Sequence, residues 1–128
     1  MEFPSPHRPV LLVVSAFTRH EDARSWYRDR LSQEFGPTAL ESELFDFEET
    51  GYYQKTMGAD LKLQMSAFER MIDPADLATI KRQTIQWEQE YQSSSGHPEE
   101  RPLNLDPGYL TEAKFVLATT KDRDHRLY

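Results

Sequence analysis

Val10-Leu-Leu-Val-Val-Ser-Ala-Phe17 is a continuous apolar run in which β-branched residues recur and no charge intervenes. Hydrophobicity that does not alternate predicts a strand covered on both faces, hence the central strand (10–17) of a sheet. Thr18, followed three residues later by Glu21, fits a capping box, and Ala23, Trp26, Tyr27, Leu31 and Phe35 recur at helical spacing until Gly36-Pro37. This predicts a first helix over 19–35. From Ala39 to Phe47 the pattern is short and mixed, with Leu40 and Leu44 on one parity and Phe45 and Phe47 on the other. A strand that changes exposure along its length fits it. Strand, helix and strand in succession predict a right-handed βαβ start with a parallel pair.

Residues 48–60, with two glycines and adjacent tyrosines between acidic ends, read as a loop packed on the body. Leu61, Met65, Phe68, Met71 and Ile72 mark a second helix over 60–72. Asp73-Pro74-Ala75-Asp76 supplies an N-cap, a proline at the first helical position and a carboxylate in the first turn, starting a helix over 74–91. Its buried stripe is expected at Leu77, Ile80, Thr84, Trp87 and Tyr91, a pattern that fits a core face and also a partner chain. Residues 92–102 are polar, carry glycine and two prolines, and are expected to be a mobile surface loop. Leu103 and Leu105 suggest a brief strand entering a turn at Asp106-Pro107-Gly108. Residues 111–118 follow as a fourth helix, the alternative being a strand over 115–120, and 126–128 read as the start of a strand. The expected class is α+β: a small mixed sheet with a βαβ start, covered by about four helices. A proline-rich lead-in (1–9) precedes a single domain (10–128).

Composition narrows the partners. No apolar run approaches the roughly 20 residues of a membrane span, and the first residues lack a secretory signal. Cysteine is absent, which removes disulfides, thiolate nucleophiles and zinc-thiolate sites and fits a reducing cytoplasm, so a cytoplasmic protein is expected. A net charge of −7 disfavours nucleic-acid backbones and anionic membranes. The acidic run Glu41, Glu43, Asp46, Glu48 and Glu49 reads as a solvated face.

Chargeable groups are densest in the last quarter of the chain. Asp106, Asp122 and His125 are candidates for acid/base catalysis, while Lys121 and Arg126 are candidates for holding a phosphate or carboxylate. The competing structural reading has Asp106 capping its own turn, Lys121 complementing a helix end and Asp122 pairing with Arg126. Tyr52 and Tyr53, with Met57, either line a pocket for a planar ligand or anchor their loop to the core. Asp122-x-Asp124-His125 is one short segment, and the other histidines, His7, His20 and His97, are scattered, so no metal or cofactor is assigned. Glycine-rich nucleotide loops, Gly-x-Ser-x-Gly and His-Glu-x-x-His are absent from the sequence.

Tyr52-Tyr53-Gln-Lys-Thr-Met57-Gly58, Ile72-Asp73-Pro74, Asn104-Leu-Asp-Pro-Gly-Tyr-Leu110 and Ala118-Thr-Thr-Lys-Asp122 with His125-Arg126 resemble segments of a prokaryotic family known as domain of unknown function 4416. The resemblance spans most of the chain from Val10 onward. It implies a compact cytoplasmic domain and brings no established activity, cofactor or catalytic residue. Members of that family continue into further strand-like sequence, which implies an incomplete sheet with Tyr128 near an exposed edge. The expected role is binding of a small molecule, an anionic one included, or of a protein. The first alternative is an enzyme acting on an anionic or phosphorylated substrate through Asp106, Asp122 and His125. The second is a structural interaction domain, self-association included, using the 77–91 helix or the edge at Tyr128.

Overall fold

The computed structural model describes residues 8–46 and 53–111, and the backbone of 115–117. The apolar run forms β1 (Val10–Thr18), buried along most of its length, with hydrogen-bonded neighbours on both sides as its pattern demands. The chain continues through α1 (Glu21–Phe35), β2 (Thr38–Glu41), β3 (Phe45–Asp46), the one-turn α2 (Gln54–Met57) and β4 (Lys62–Ile72). A 3-10 turn (Pro74–Asp76) then leads into α3 (Leu77–Ser95), followed by β5 (Asn104–Leu110) and β6 (Phe115–Leu117). The strand order is β2-β4-β1-β5-β6, with β3 also on β4.

The class is α+β, as expected. β1 and β2 run in the same direction, since each is antiparallel to β4, but β4 lies between them, so every described pair is antiparallel. The strands and long helices β1, α1, β2, β4, α3 and β5 thus follow the split β-α-β, ferredoxin-like arrangement.

The expected parallel pairing of the first two strands is therefore corrected, and other expectations with it. Residues 62–72 form a strand, not a helix. Between the pairs Leu11 with Met71 and Val13 with Ala67, the single residue Leu12 faces Phe68, Glu69 and Arg70. The bulge follows Ala67, so Met65 and Phe68 fall on opposite faces of a regularly alternating stretch and the half-exposed Met71 lies beyond it; their three-residue spacing imitates a helix without sharing a face. Asp106-Pro107-Gly108 is not a turn but the middle of β5. Leu105 gives its N–H to Glu88 Oε2 (2.6 Å) and receives Lys81 Nζ on its carbonyl (3.0 Å), so both groups point away from β1. Two residues on, Pro107 aims its nitrogen the same way, where described pairing with β6 begins only at Gly108. Residues 115–117 are strand, the alternative weighed for the expected fourth helix; the rest of that segment and the 126–128 strand lie outside the described residues. The 48–60 loop contains α2, and 92–95 belong to α3.

Both helical stripes hold. Ala23, Tyr27, Leu31 and Phe35 of α1 and Leu77, Ile80, Thr84, Trp87 and Tyr91 of α3 are buried, most of them in one core with Leu12, Val14, Ala16, Phe68 and Leu105. Arg30 lies 4.5 Å from the Trp26 ring centre and 5.9 Å from that of Trp87, and pairs with Glu90 at 2.6 Å, which ties α1 to α3. Thr18 does not cap α1, which starts later; its hydroxyl accepts from His20 N–H (3.0 Å) and donates to the Pro102 carbonyl (2.6 Å). Asp73 does act as a cap, accepting from Ala75 N–H at 2.9 Å ahead of Pro74. Asp73→Ala is expected to lower the unfolding free energy by about 1 kcal/mol in urea titrations.

Candidate functional site

β1 ends by delivering Arg19 and His20 to the start of α1, whose first turn carries Asp22, where a carboxylate complements the helix dipole. α3 ends at Gly96, whose φ of 78° provides a left-handed cap, and the returning chain carries His97 and Glu99. Hydrogen bonds from Arg101 N–H to the Thr56 carbonyl (2.8 Å) and from Thr18 to Pro102 tie this return to the body. Two histidines from opposite halves of the chain are thereby brought face to face, ring centroids 3.5 Å apart and planes within 9°.

Each imidazole has a carboxylate. His20 Nε2 lies 2.7 Å from Glu99 Oε1, and His97 Nε2 lies 3.1 Å from both Asp22 oxygens. The Tyr91 hydroxyl donates to Asp22 Oδ2 at 2.6 Å and sits 3.1 Å from His97 Nε2. Arg19 approaches the other Glu99 oxygen at 3.4 Å. Its side chain also lies over Gly58, where a Cβ would come within 3.0 Å of Arg19 Cδ and where φ is +88°. His20, His97 and Glu99 are largely sheltered, whereas the Asp22 side chain is 63% exposed, so the cluster opens to solvent on that side.

The Tyr91 hydrogen bond holds the Asp22 carboxyl below its ordinary value against a smaller effect of burial, with His97 adding to the lowering. Burial works to raise Glu99, but the His20 hydrogen bond, a backbone bond and the nearby charges of His20 and Arg19 bring it below the usual range. Burial and the Asp22 carboxylate push the Tyr91 phenol well up. Both carboxylates therefore stand ready as anionic donors near neutral pH.

One donor atom each from His20, Asp22 and His97 lies within 4.8 Å of the others, a group able to hold a metal ion. Bonds of roughly 2.0–2.2 Å to a tetrahedral ion place neighbouring donors about 3.4 Å apart, so capture needs a closure of no more than about 1.4 Å. The stacked rings lie in nearly parallel planes, so one ring must turn for both lone pairs to meet at one point.

Of the candidates chosen from the sequence, the two among the described residues, Asp106 and Tyr53, fall elsewhere. Asp106 lies on β5, held by Lys81 Nζ at 3.0 Å and Asn104 Nδ2 at 2.8 Å, and Arg101 donates to Asn104 Oδ1. Glu88 joins this seam through the Leu105 N–H, and burial pushes its carboxyl up to about 7, with Asp106 adding to the rise and the Leu105 bond, Lys81 and Arg101 opposing it. Tyr53 packs edge-on against Phe17 at 5.2 Å beside buried Met57 and Leu61, so it anchors its loop. Tyr52, Lys121, Asp122, His125 and Arg126 lie outside the described residues. Sequence reasoning misses the histidine cluster because His97 sits in a segment whose glycine and prolines signal a flexible loop. The available signal is the split β-α-β order itself, which sets the start of α1 beside the end of α3.

No helix among the described residues is long and apolar enough to cross a membrane. Comparison with curated proteins and with solved structures finds no match. The model of the family described as domain of unknown function (DUF4416) matches residues 8–128, nearly the whole chain including every element above, and the protein belongs to that family.

Proposed function

We propose that this domain is a small-ligand-binding module whose ligand is a divalent first-row transition metal of the zinc class, held by His20, His97 and Asp22. The observation that carries this reading is the convergence of two imidazoles and a carboxylate from distant segments at one solvent-open point. Two nitrogens and one carboxylate oxygen suit zinc, nickel, cobalt or ferrous iron better than calcium or magnesium, which favour oxygen donors throughout. The residues themselves orient the donors: Tyr91 steadies Asp22, and the Thr18–Pro102 bond fixes the segment that carries His97 and Glu99. A chain without cysteine fits a reducing cytoplasm, and its donor set needs no thiolate.

Calorimetric titration of chelator-treated protein with Zn²⁺ or Ni²⁺ tests the reading. One ion per chain is expected, with affinity at least about tenfold weaker in His97→Ala and in His20→Ala, since each removes one of three protein ligands. Absence of binding to wild type, or equal binding to the variants, refutes the site.

A second reading, acid/base chemistry on an anionic or phosphorylated substrate, is favoured by one observation: Asp106 shares a seam with Lys81 and with a Glu88 carboxyl raised to about 7. Phosphomonoester turnover lost in Asp106→Asn, with zinc affinity unchanged, would separate the two readings.

A further inference from the structure

We infer that Glu99 is a positioning residue of this metal site: it acts through His20, fixing the ring so that Nδ1 is the atom presented to the ion. The inference rests on the metal-binding reading and specifies how one of its ligands is set.

Glu99 touches His20 at 2.7 Å yet is not one of the residues whose donor atoms gather within 4.8 Å. It reaches the ring at Nε2 without joining that group. A neutral imidazole carries its proton on one nitrogen and a lone pair on the other. The Glu99 carboxylate can only accept, so in the neutral ring that binds an ion His20 bears its proton at Nε2 and its lone pair at Nδ1. The nitrogen engaged with Glu99 is not available to an ion, whereas Nδ1 is.

The rest of the arrangement is built outward from that contact. Arg19 takes the second Glu99 oxygen, so the carboxylate is held from both sides. The Glu99 side chain is only 12% exposed, which keeps water from competing for the His20 proton. The Glu99 Cγ lies 3.3 Å from the position a Cβ on Gly58 would take, so α2's closing glycine leaves room for both Arg19 and Glu99. Arg19, Glu99, His20 and the ion thus form a chain in which each member orients the next. A carboxylate behind a metal-bound imidazole fixes its tautomer and raises its basicity.

The two carboxylates of the cluster consequently have different duties. Asp22 faces solvent and the open side of the site, and serves as a ligand. Glu99 is sheltered and serves behind its histidine. Glu99 meets its ring at 2.7 Å and Asp22 meets the other at 3.1 Å, but only Asp22 is gathered with the donor atoms.

The test uses Co²⁺ as the probe, because its visible absorption reports donor set and coordination number, together with imidazole ¹⁵N shifts in the zinc-loaded protein. In wild type, His20 is expected to ligate through Nδ1 with a retained Nε2–H. Glu99→Gln is expected to weaken Co²⁺ affinity roughly 10- to 100-fold, with one ion per chain and an unchanged absorption band. The metal-free variant is expected to keep the wild-type urea midpoint, which separates positioning from a general loosening of the loop. A changed band would make Glu99 a ligand and overturn the inference, as would Nε2 ligation by His20 or an affinity close to that of wild type. Failure of wild type to bind Co²⁺ or Zn²⁺ would remove the site itself, and this role with it.

Discussion

Phe68→Ala is expected to cost about 3–5 kcal/mol of unfolding free energy, measured as a shifted urea midpoint with an unchanged slope. Phe68 has no exposed surface, meets Phe35 edge-on at 5.8 Å and lies in the bulge where β4 passes Leu12. Truncation leaves a cavity walled by α1 and β1, and the bulge cannot collapse into it without breaking the pairing of Thr38 with residue 68. A domain of this size has about 5–15 kcal/mol in all, so the variant stands near the edge of folding. A loss below about 1.5 kcal/mol would mean that β4 does not hold Phe68 in the core.

Glu88→Gln is expected to change stability in a pH-dependent way. The Glu88 carboxyl is raised from its ordinary 4.5 to about 7, chiefly by burial, so the folded protein retains a proton that the unfolded chain releases. Below pH 4.5 both states are protonated and the group costs nothing. As pH rises towards 7 the wild type loses stability, and above pH 7 the full cost of about 3 kcal/mol is present, because each tenfold difference in proton affinity between the two states is worth about 1.36 kcal/mol. Glutamine can still accept the Leu105 N–H and carries no charge, so the variant should match wild type near pH 4.5 and exceed it at about pH 8. Chemical denaturation at the two values decides. Equal differences at both would show that burial does not hold the Glu88 proton.

β1 and the stripes of α1 and α3 are legible because a single rule governs each: unbroken apolarity for a doubly covered strand, and a 3.6-residue period for a helix packed on one side. β4 is not legible, because apolar residues on both of its faces, Met65 on one and Phe68 on the other, fall three apart and because leucine and methionine suit helices as readily as strands. β5 is hidden behind Pro107 and Gly108, which signal a turn unless Lys81 and Glu88 are known to serve the open edge at Leu105. At the candidate site, Tyr53 packs against Phe17 and Asp106 is engaged by Lys81. His20 and His97 carry no local signal, since each looks ordinary until the strand order sets the start of α1 against the end of α3.

The insertion of β4 between β1 and β2 also has a consequence in time. Neither strand beside β1 exists when β1 leaves the ribosome, for the earlier of them begins only at Lys62. At roughly 5–20 residues per second, the stretch Val10–Thr18 waits several seconds with no strand to close its backbone hydrogen bonds. During that interval the described residues offer it α1 and, at Phe17 alone, the Tyr53–Leu61 stretch, and an amphipathic helix laid along a nascent strand covers one of its two faces. The protein's greatest exposure to misassembly therefore falls before its sheet has a second strand, in the segment that ends as its most protected one.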